Sequence, residues 1–293
     1  MFDNKNFSSL HTHTVFCDGR DDIETMCRTA FEKGLSAIGF SSHAPIEKAG
    51  LKTYWHMDEK RLKDYKDEVL AARRRWKGKI DVYLGLEQDY IKGLRSAHDS
   101  DVKELELDYI IGSIHYISSP HGTLFTIDGS KDEMDKIILE DFKGNSGAVI
   151  NAYWDALAEM IALGGFEIIG HLDLIKKNNV NNCWFNLESK SCVQRLEEIV
   201  QAIASAGLVV EVNTGGLNRG YFAETCPSPA VLGILKKYNV PVIITADAHN
   251  AGDIDGNYNI ACQNLRMAGY KNHVLFAGKN TRGVTWRELG LPC

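Results

Sequence analysis

The sequence predicts an α/β fold: a single barrel of the (β/α)₇ type, one domain over residues 1–293. Three observations point to it. Strand and helix signals alternate from one end of the chain to the other, which implies an α/β architecture. The strands are apolar runs with little polar alternation, as expected of a parallel sheet covered by helices. Metal-ligand residue types sit at the end of strand after strand, where the βα loops of a parallel barrel share one mouth. A doubly wound open sheet fits the alternation equally well, but the G-x-G-x-x-G turn that would follow its first strand is missing.

The first strand covers residues 8–13 and ends in His11-Thr12-His13. Ile23, Met26, Cys27, Ala30 and Phe31 follow the spacing of an amphipathic helix, with Asp21 or Asp22 as N-cap and Gly34 as C-cap. The second strand (36–43) ends at His43, a charged helix covers 58–77, and the third strand (80–87) ends at Glu87. Strands four (108–115) and five (166–171) end at His115 and His171. A helix through Val193, Leu196, Val200 and Ile203 stops at Gly207, and strand six (208–213) ends with Glu211 and Asn213. Ser228 caps a helix that opens with Pro229, whose fixed φ suits the first helical position, and Lys236 and Lys237 favour the negative end of its dipole. Strand seven (240–249) ends in Asp247-Ala248-His249, and 255–268 is a last helix.

Composition narrows the function classes. A chain with 44% hydrophobic and 25% charged residues is an ordinary globular one. Its net charge of −6 argues against non-specific nucleic-acid binding, which needs a basic footprint. The basic run 71–77 is expected to be a solvated helix face with Trp76 turned inward. No apolar run approaches the roughly 18 residues of a membrane helix. The amino terminus lacks the basic and apolar regions of a signal peptide. Seven scattered cysteines without C-x-x-C spacing suit reduced thiols, so a cytoplasmic protein is expected. Nothing in the sequence specifies an oligomeric state.

Six of the ten histidines (His11, His13, His43, His115, His171 and His249) fall at strand ends, together with Glu87 and Asp247. Taken singly, each is equally a hydrogen-bonded core or surface group. Residues two apart in a strand share a face, so His11 and His13 can hold one ion together, and Asp247 and His249 have the same spacing. Imidazole and carboxylate converging on one mouth bind divalent metal, and without thiolate ligands the set admits zinc, iron or manganese alike. An amidohydrolase-type barrel acting on C–N bonds shares H-x-H after strand one, but His115 stands where its strand-four lysine is expected. A non-catalytic metal-storing barrel would need the same ligands.

The ordered motifs HTHTVFCDG (11–19), His43 after Ser41-Ser42, G-x-E (85–87), GSIH (112–115), GH-x-D (170–173), EVNTGG (211–216) and TADAH (245–249) resemble the polymerase-and-histidinol-phosphatase (PHP) family over nearly the whole chain. The resemblance implies a distorted seven-stranded, TIM-like β/α barrel with two or three metal ions. It is nearest the histidinol-phosphate phosphatase branch, hence a metal-dependent phosphomonoesterase acting on a small phosphorylated substrate; nucleotide and other phosphate-ester hydrolysis belong to other branches. It implies that His11, His13 and Asp247 hold one ion, that Glu87 bridges it to a second held by His115 and His171, and that Asp18, His43 and His249 hold a third. Asp247, His249 and Glu87 are the expected catalytic residues.

The loop after strand six, 213–220, opens on the same mouth and carries Arg219, whose planar guanidinium suits phosphate oxygens. Arg219 is therefore the expected substrate-binding residue. The segments 44–57 and 116–153 exceed ordinary βα loops and are expected to be lids or substrate walls. Tyr54, Trp55, Tyr90, Tyr116 and Tyr153 are candidates for stacking on an imidazole ring, although for each taken alone packing is the better reading.

Overall fold

The computed structural model describes residues 4–221, 223–281 and 283–292; Cys293 lies outside them. Seven parallel strands lie side by side in chain order: β1 (Ser8–Ser9), β2 (Ala37–Phe40), β3 (Asp81–Asp89), β4 (Tyr109–Ser113), β5 (Ile168–Ile169), β6 (Val209–Asn213) and β7 (Val242–Thr245). Beyond the ends of β1 and β7 the ring closes through a parallel bridge between Thr12 and Ala248. There His13 N–H donates to the Ala248 carbonyl at 2.8 Å and Ala248 N–H to that of His11 at 3.1 Å. The predicted seven-stranded barrel is present, with its first and fifth strands reduced to two residues each.

Helices α1 (Ile23–Glu32), α2 (Leu62–Arg75), α3 (Lys131–Glu140), α4 (Ser146–Leu163), α5 (Lys190–Ala206), α6 (Pro229–Lys237) and α7 (Tyr258–Met267) pack around the strands. Asp22, not Asp21, caps α1 by accepting from Thr25 N–H, and Ile23, Met26, Cys27 and Ala30 are its buried side. Phe31, predicted for that face, is half-exposed against Trp76. Trp76 itself is buried at the end of α2, while Arg73 and Arg75 pair with Asp108 and Glu24.

Two parts of the fold differ from the sequence reading. The segment 116–153 is not a structureless loop: it holds a small hairpin (Tyr116–Ser118 with Leu124–Thr126), α3 with a Ser130/Glu133 capping box, and the start of α4. The chain after α7 forms an unforeseen antiparallel hairpin, β8 (Asn272–Asn280) with β9 (Gly283–Gly290). That hairpin sits under the amino-terminal end of the barrel, where Lys279 Nζ donates to the carbonyl of Leu107 just before β4. Its Val274 and Phe276 complete a cluster inside the barrel with Leu10, Tyr109, Ile111, Ile168, Val209 and Ile243.

Tyr109 fills the barrel centre because its neighbouring strands carry glycine. A Cβ at Gly85 would stand 2.5 Å from Tyr109 Cζ, and one at Gly39 would meet the Tyr109 hydroxyl. That hydroxyl donates to the Leu10 carbonyl. The interior below is thus apolar and plugged, and the polar side chains are gathered at the opposite, carboxyl end.

Candidate metal centre

At the carboxyl ends of the strands the predicted ligands come together. His11 and His13 follow β1, His43 follows β2, Glu87 lies two residues before the end of β3, His115 and His171 follow β4 and β5, and Asp247 and His249 follow β7. Asp18, from the first loop, reaches His249 Nε2 at 3.3 Å and His13 Nδ1 at 3.7 Å. Strand periodicity does not explain the Asp247/His249 pair: β7 ends at Thr245, and Asp247 takes a left-handed backbone with φ +47°. Asp is among the residues that tolerate this conformation.

Glu87, only 1% exposed, stands at the centre. Its Oε1 is 2.8 Å from His171 Nε2 and 3.6 Å from His115 Nε2. Its Oε2 is 2.9 Å from His43 Nδ1, 3.3 Å from His11 Nε2 and 3.6 Å from His13 Nε2. Asp247 Oδ1 lies 3.1 Å from His13 Nε2 and 3.6 Å from His11 Nε2. Three sets of ligand atoms each fall within 4.8 Å of one another: His11, His13 and Glu87; His43, Glu87 and His115; and His13, Asp18, His43 and His249.

Several of these atoms have no hydrogen-bond partner among the described residues: His11 Nε2, His13 Nε2, His43 Nδ1, Asp18 Oδ1 and Glu87 Oε2. Buried polar atoms are ordinarily paired, so a group of orphans facing one another fits cations between them. The opposite ring nitrogens are held in place. His11 Nδ1 meets Glu211 Oε2 at 2.8 Å and His115 Nδ1 meets Asp89 Oδ1 at 2.9 Å, while His249 Nδ1 accepts from Arg219 Nη1 at 2.8 Å. On His11 and His115 a proton on Nδ1 leaves the inward nitrogen with a free lone pair, the usual support for a metal-binding imidazole.

The electrostatics agree. Burial works to raise the Glu87 pKa, but His43, His11 and His115 hold it well below the usual carboxylate range. Burial acts the same way on Asp247, and Arg219 and His11 hold it low. Burial lowers the affinity of His115 for a proton, yet Asp89 and Glu87 push its pKa up to about 10. His13, buried between His249 and His43, is held down to about 3. The buried carboxylates therefore demand positive charge nearby, which protons or divalent cations can supply.

The sequence pattern of the PHP domain matches residues 9–215, well over half of the chain. The chain belongs to the PHP domain family. It is 28% identical over 261 residues to a Deinococcus radiodurans protein named "probable histidinol-phosphatase", a match covering 88% of this chain and 92% of that protein. It is 26% identical over 265 residues to the histidinol-phosphatase of Bacillus subtilis, covering 85% of this chain and 95% of that one. Among solved structures, the histidinol phosphate phosphatase of Lactococcus lactis, complexed with zinc, L-histidinol and phosphate, has the same fold with a TM-score of 0.72 at 19% identity. That match covers 96% of this chain and 99% of the other.

In this PHP domain the ligand cluster, apart from the fully buried His11 and His13, forms the floor of a cavity of about 650 Å³. Arg219 lines it rather than lying on the outer surface: its Nη2 donates to Asp247 Oδ2 at 2.9 Å and its Nη1 to the Asp247 carbonyl at 2.8 Å. Tyr54 and Trp55, from the 44–57 loop, form one wall. Thr126, Asp128 and Glu133, from the 116–153 segment, form another, with Lys177 Nζ donating to Asp128 Oδ1 at 2.7 Å. Three of the five stacking candidates are elsewhere, Tyr116 being buried and stacked on Trp55. Tyr90 donates to Glu159, and Tyr153 is buried with its hydroxyl on the Leu172 carbonyl, so both serve packing, the better expectation for each taken alone.

Three supporting residues escaped the sequence reading as site residues. Glu211 accepts from His11, from the His171 backbone N–H at 2.6 Å and from Thr245 at 2.8 Å. Asp89 sits between His115 and His56. A signal was present for Asp89: it lies two residues beyond Glu87, on the same face of β3. No helix among the described residues is long and apolar enough to cross a membrane.

Proposed function

We propose that the chain is a metal-dependent phosphomonoesterase that hydrolyses L-histidinol phosphate to L-histidinol and phosphate, with residues 1–293 acting as one phosphoesterase barrel. The observation that carries this is the set of orphaned imidazole and carboxylate atoms facing one another on the floor of an open cavity. The substrate is supported by relatives named histidinol-phosphatase along most of their length and by the matching Lactococcus lactis fold, which holds L-histidinol and phosphate.

On this reading His11, His13 and Asp247 hold one ion, Glu87 bridges to a second with His115 and His171, and Asp18, His43 and His249 hold a third. Two or three ions of zinc, iron or manganese suit these nitrogen and oxygen donors. Bound there, divalent ions supply an acidified water as nucleophile and positive charge against the phosphoryl oxygens. Asp247, steadied by Arg219, steers the water. With two ions bound, His249 would keep a proton on Nε2 and pass it to the departing alkoxide oxygen; with a third ion on that nitrogen, water at the rim would supply the proton. Arg219 has five N–H donors, of which Asp247 and His249 Nδ1 engage only part; the guanidinium lines the cavity, where its uncommitted donors grip phosphate. Thiols free at all six described cysteines support a reducing compartment such as the cytoplasm.

Phosphate release tests the assignment. With zinc, iron or manganese supplied in turn, L-histidinol phosphate is expected to be hydrolysed with a kcat/KM far above that for AMP, and a dihydroorotate-type substrate is expected to remain intact. A higher kcat/KM for AMP would move the activity to nucleotides.

A further inference from the structure

His56, Asp89 and His115 form a buried chain between the 44–57 loop and the candidate metal centre. His56 Nε2 lies 2.8 Å from Asp89 Oδ2, and His115 Nδ1 lies 2.9 Å from Asp89 Oδ1. The His115 backbone N–H also reaches Oδ1, at 3.3 Å. All three residues are buried. An ionised carboxylate only accepts hydrogen bonds, so both imidazoles must donate to it. For His115 this fixes the proton on Nδ1 and turns the Nε2 lone pair towards Glu87. For His56 it leaves Nδ1 to accept from Thr53 Oγ1 at 2.6 Å, within the loop.

The loop is seated on the same residues by its rings. Trp55 packs edge-on against His43 at 4.9 Å and His115 at 5.2 Å, and stacks on Tyr116 at 5.8 Å. The Met57 backbone N–H donates to the His43 carbonyl at 3.2 Å. The wall that carries Tyr54 and Trp55 thus rests on two proposed metal ligands, His43 and His115, and is tied to one of them through a single carboxylate.

We infer that Asp89 is a positioning residue that couples the two: it sets His115 for metal binding and, through His56, makes the seating of the 44–57 loop depend on metal occupancy. The inference rests on the reading of His115 as a metal ligand. An ion on Nε2 draws electron density from the ring, strengthens the Nδ1–H bond to Asp89 and stops the ring from turning. The carboxylate and His56 are then held as well. When the ion leaves, a proton on Nε2 can replace its charge but does not tie the ring to the other ligands, so the chain loses its fixed end and the wall loosens.

Hydrogen exchange over 51–57 reads this directly, comparing zinc-loaded with chelator-stripped wild type. Stripping is expected to speed exchange there by about 10-fold or more, as a local opening. In His56→Ala the loop is expected to exchange fast with or without zinc, and KM to rise more than kcat falls. His56→Gln, whose side-chain amide can still donate to Asp89, is expected to regain much of the zinc-dependent protection. Asp89→Asn is expected to weaken zinc binding by about 10- to 100-fold, as for other outer partners of metal-binding imidazoles. A wild type that binds zinc but whose loop exchanges equally in both states would overturn the coupling alone, as would zinc-dependent protection that persists in His56→Ala. A wild type that takes up no zinc would overturn the metal reading and this inference with it.

Discussion

Glu87 turns its two oxygens to separate groups of histidines: His171 and His115 on Oε1, His43, His11 and His13 on Oε2. Ser113 Oγ fixes its rotation by donating to Oε1 at 2.7 Å. Glu87→Gln keeps the shape, removes the charge and replaces one acceptor with a donor. It is expected to lower kcat by at least about 100-fold at saturating metal, because a bridging position is lost. Elemental analysis of the variant should show less than the wild-type metal content. Near-normal turnover would place the bridge elsewhere. Arg219 has a different task. Its fork holds Asp247 Oδ2, which leaves Oδ1 turned towards His11 and His13. A lysine at this position can keep one contact with Asp247 but cannot offer a second donor to phosphate. Arg219→Lys is therefore expected to lose about 1–3 kcal/mol of transition-state stabilisation in kcat/KM, with metal content unchanged. An unaltered kcat/KM would leave phosphate to the metals. The ligands were legible at this scale because few residue types bind metal and strand ends are short. His56, in the long loop, carried no such signal, since its tie to Asp89 exists only in the folded chain.

Elements were legible where periodicity is unbroken and obscure where it is interrupted. The buried side of α4 (Val149, Ile150, Tyr153, Trp154, Leu157, Met160, Ile161) follows helical spacing, but the expectation of a wall over 116–153 stops inside it. The β8–β9 hairpin lacks a clean alternation because its register shifts between Phe276 and Lys279, and Leu275 is buried as well as Val274 and Phe276. His273, on β8, is 1% exposed and stacks on Phe7 with ring centroids 5.2 Å apart. Burial pushes its pKa down to about 4. In the unfolded chain an imidazole titrates near 6.5, so between about pH 6.5 and 4 the unfolded state takes a proton that the folded state refuses. Stability from this group is thus complete above pH 6.5, falls as pH drops towards 4 and levels off below. From pH 7.5 to 5 the loss amounts to about 2 kcal/mol. Denaturant unfolding at the two pH values should show His273→Phe losing less than wild type by roughly that amount. An identical pH dependence in both proteins would mean that His273 is protonated in the native state.

Over the whole molecule, the barrel gathers groups from residue 11 to residue 249 onto one floor, while Tyr109 and the β8–β9 hairpin fill the other end with apolar side chains. Strand order equal to chain order and a ligand at nearly every strand end made this convergence readable. The closure between Thr12 and Ala248 was not readable, because it is a bridge beyond the ends of two short strands. The same convergence dictates how metal and folding are linked. In the unfolded chain the ligands are dispersed over more than two hundred residues and form no site, so an ion binds the native state almost exclusively. At a free metal concentration one hundred times Kd, one such site adds about 2.7 kcal/mol to stability. For a chain of this size that corresponds to roughly 4–5 °C in Tm. Chelator-stripped protein is therefore expected to melt at least that far below protein supplied with zinc or manganese. The gain should be largest for zinc and absent for calcium, whose preference for oxygen donors is poorly met by a floor made chiefly of imidazoles. Scanning calorimetry with each ion, alongside elemental analysis, measures it. Equal Tm values in stripped and zinc-supplied samples would show that the orphaned imidazoles and carboxylates hold no ion, and would remove the basis for the phosphatase reading.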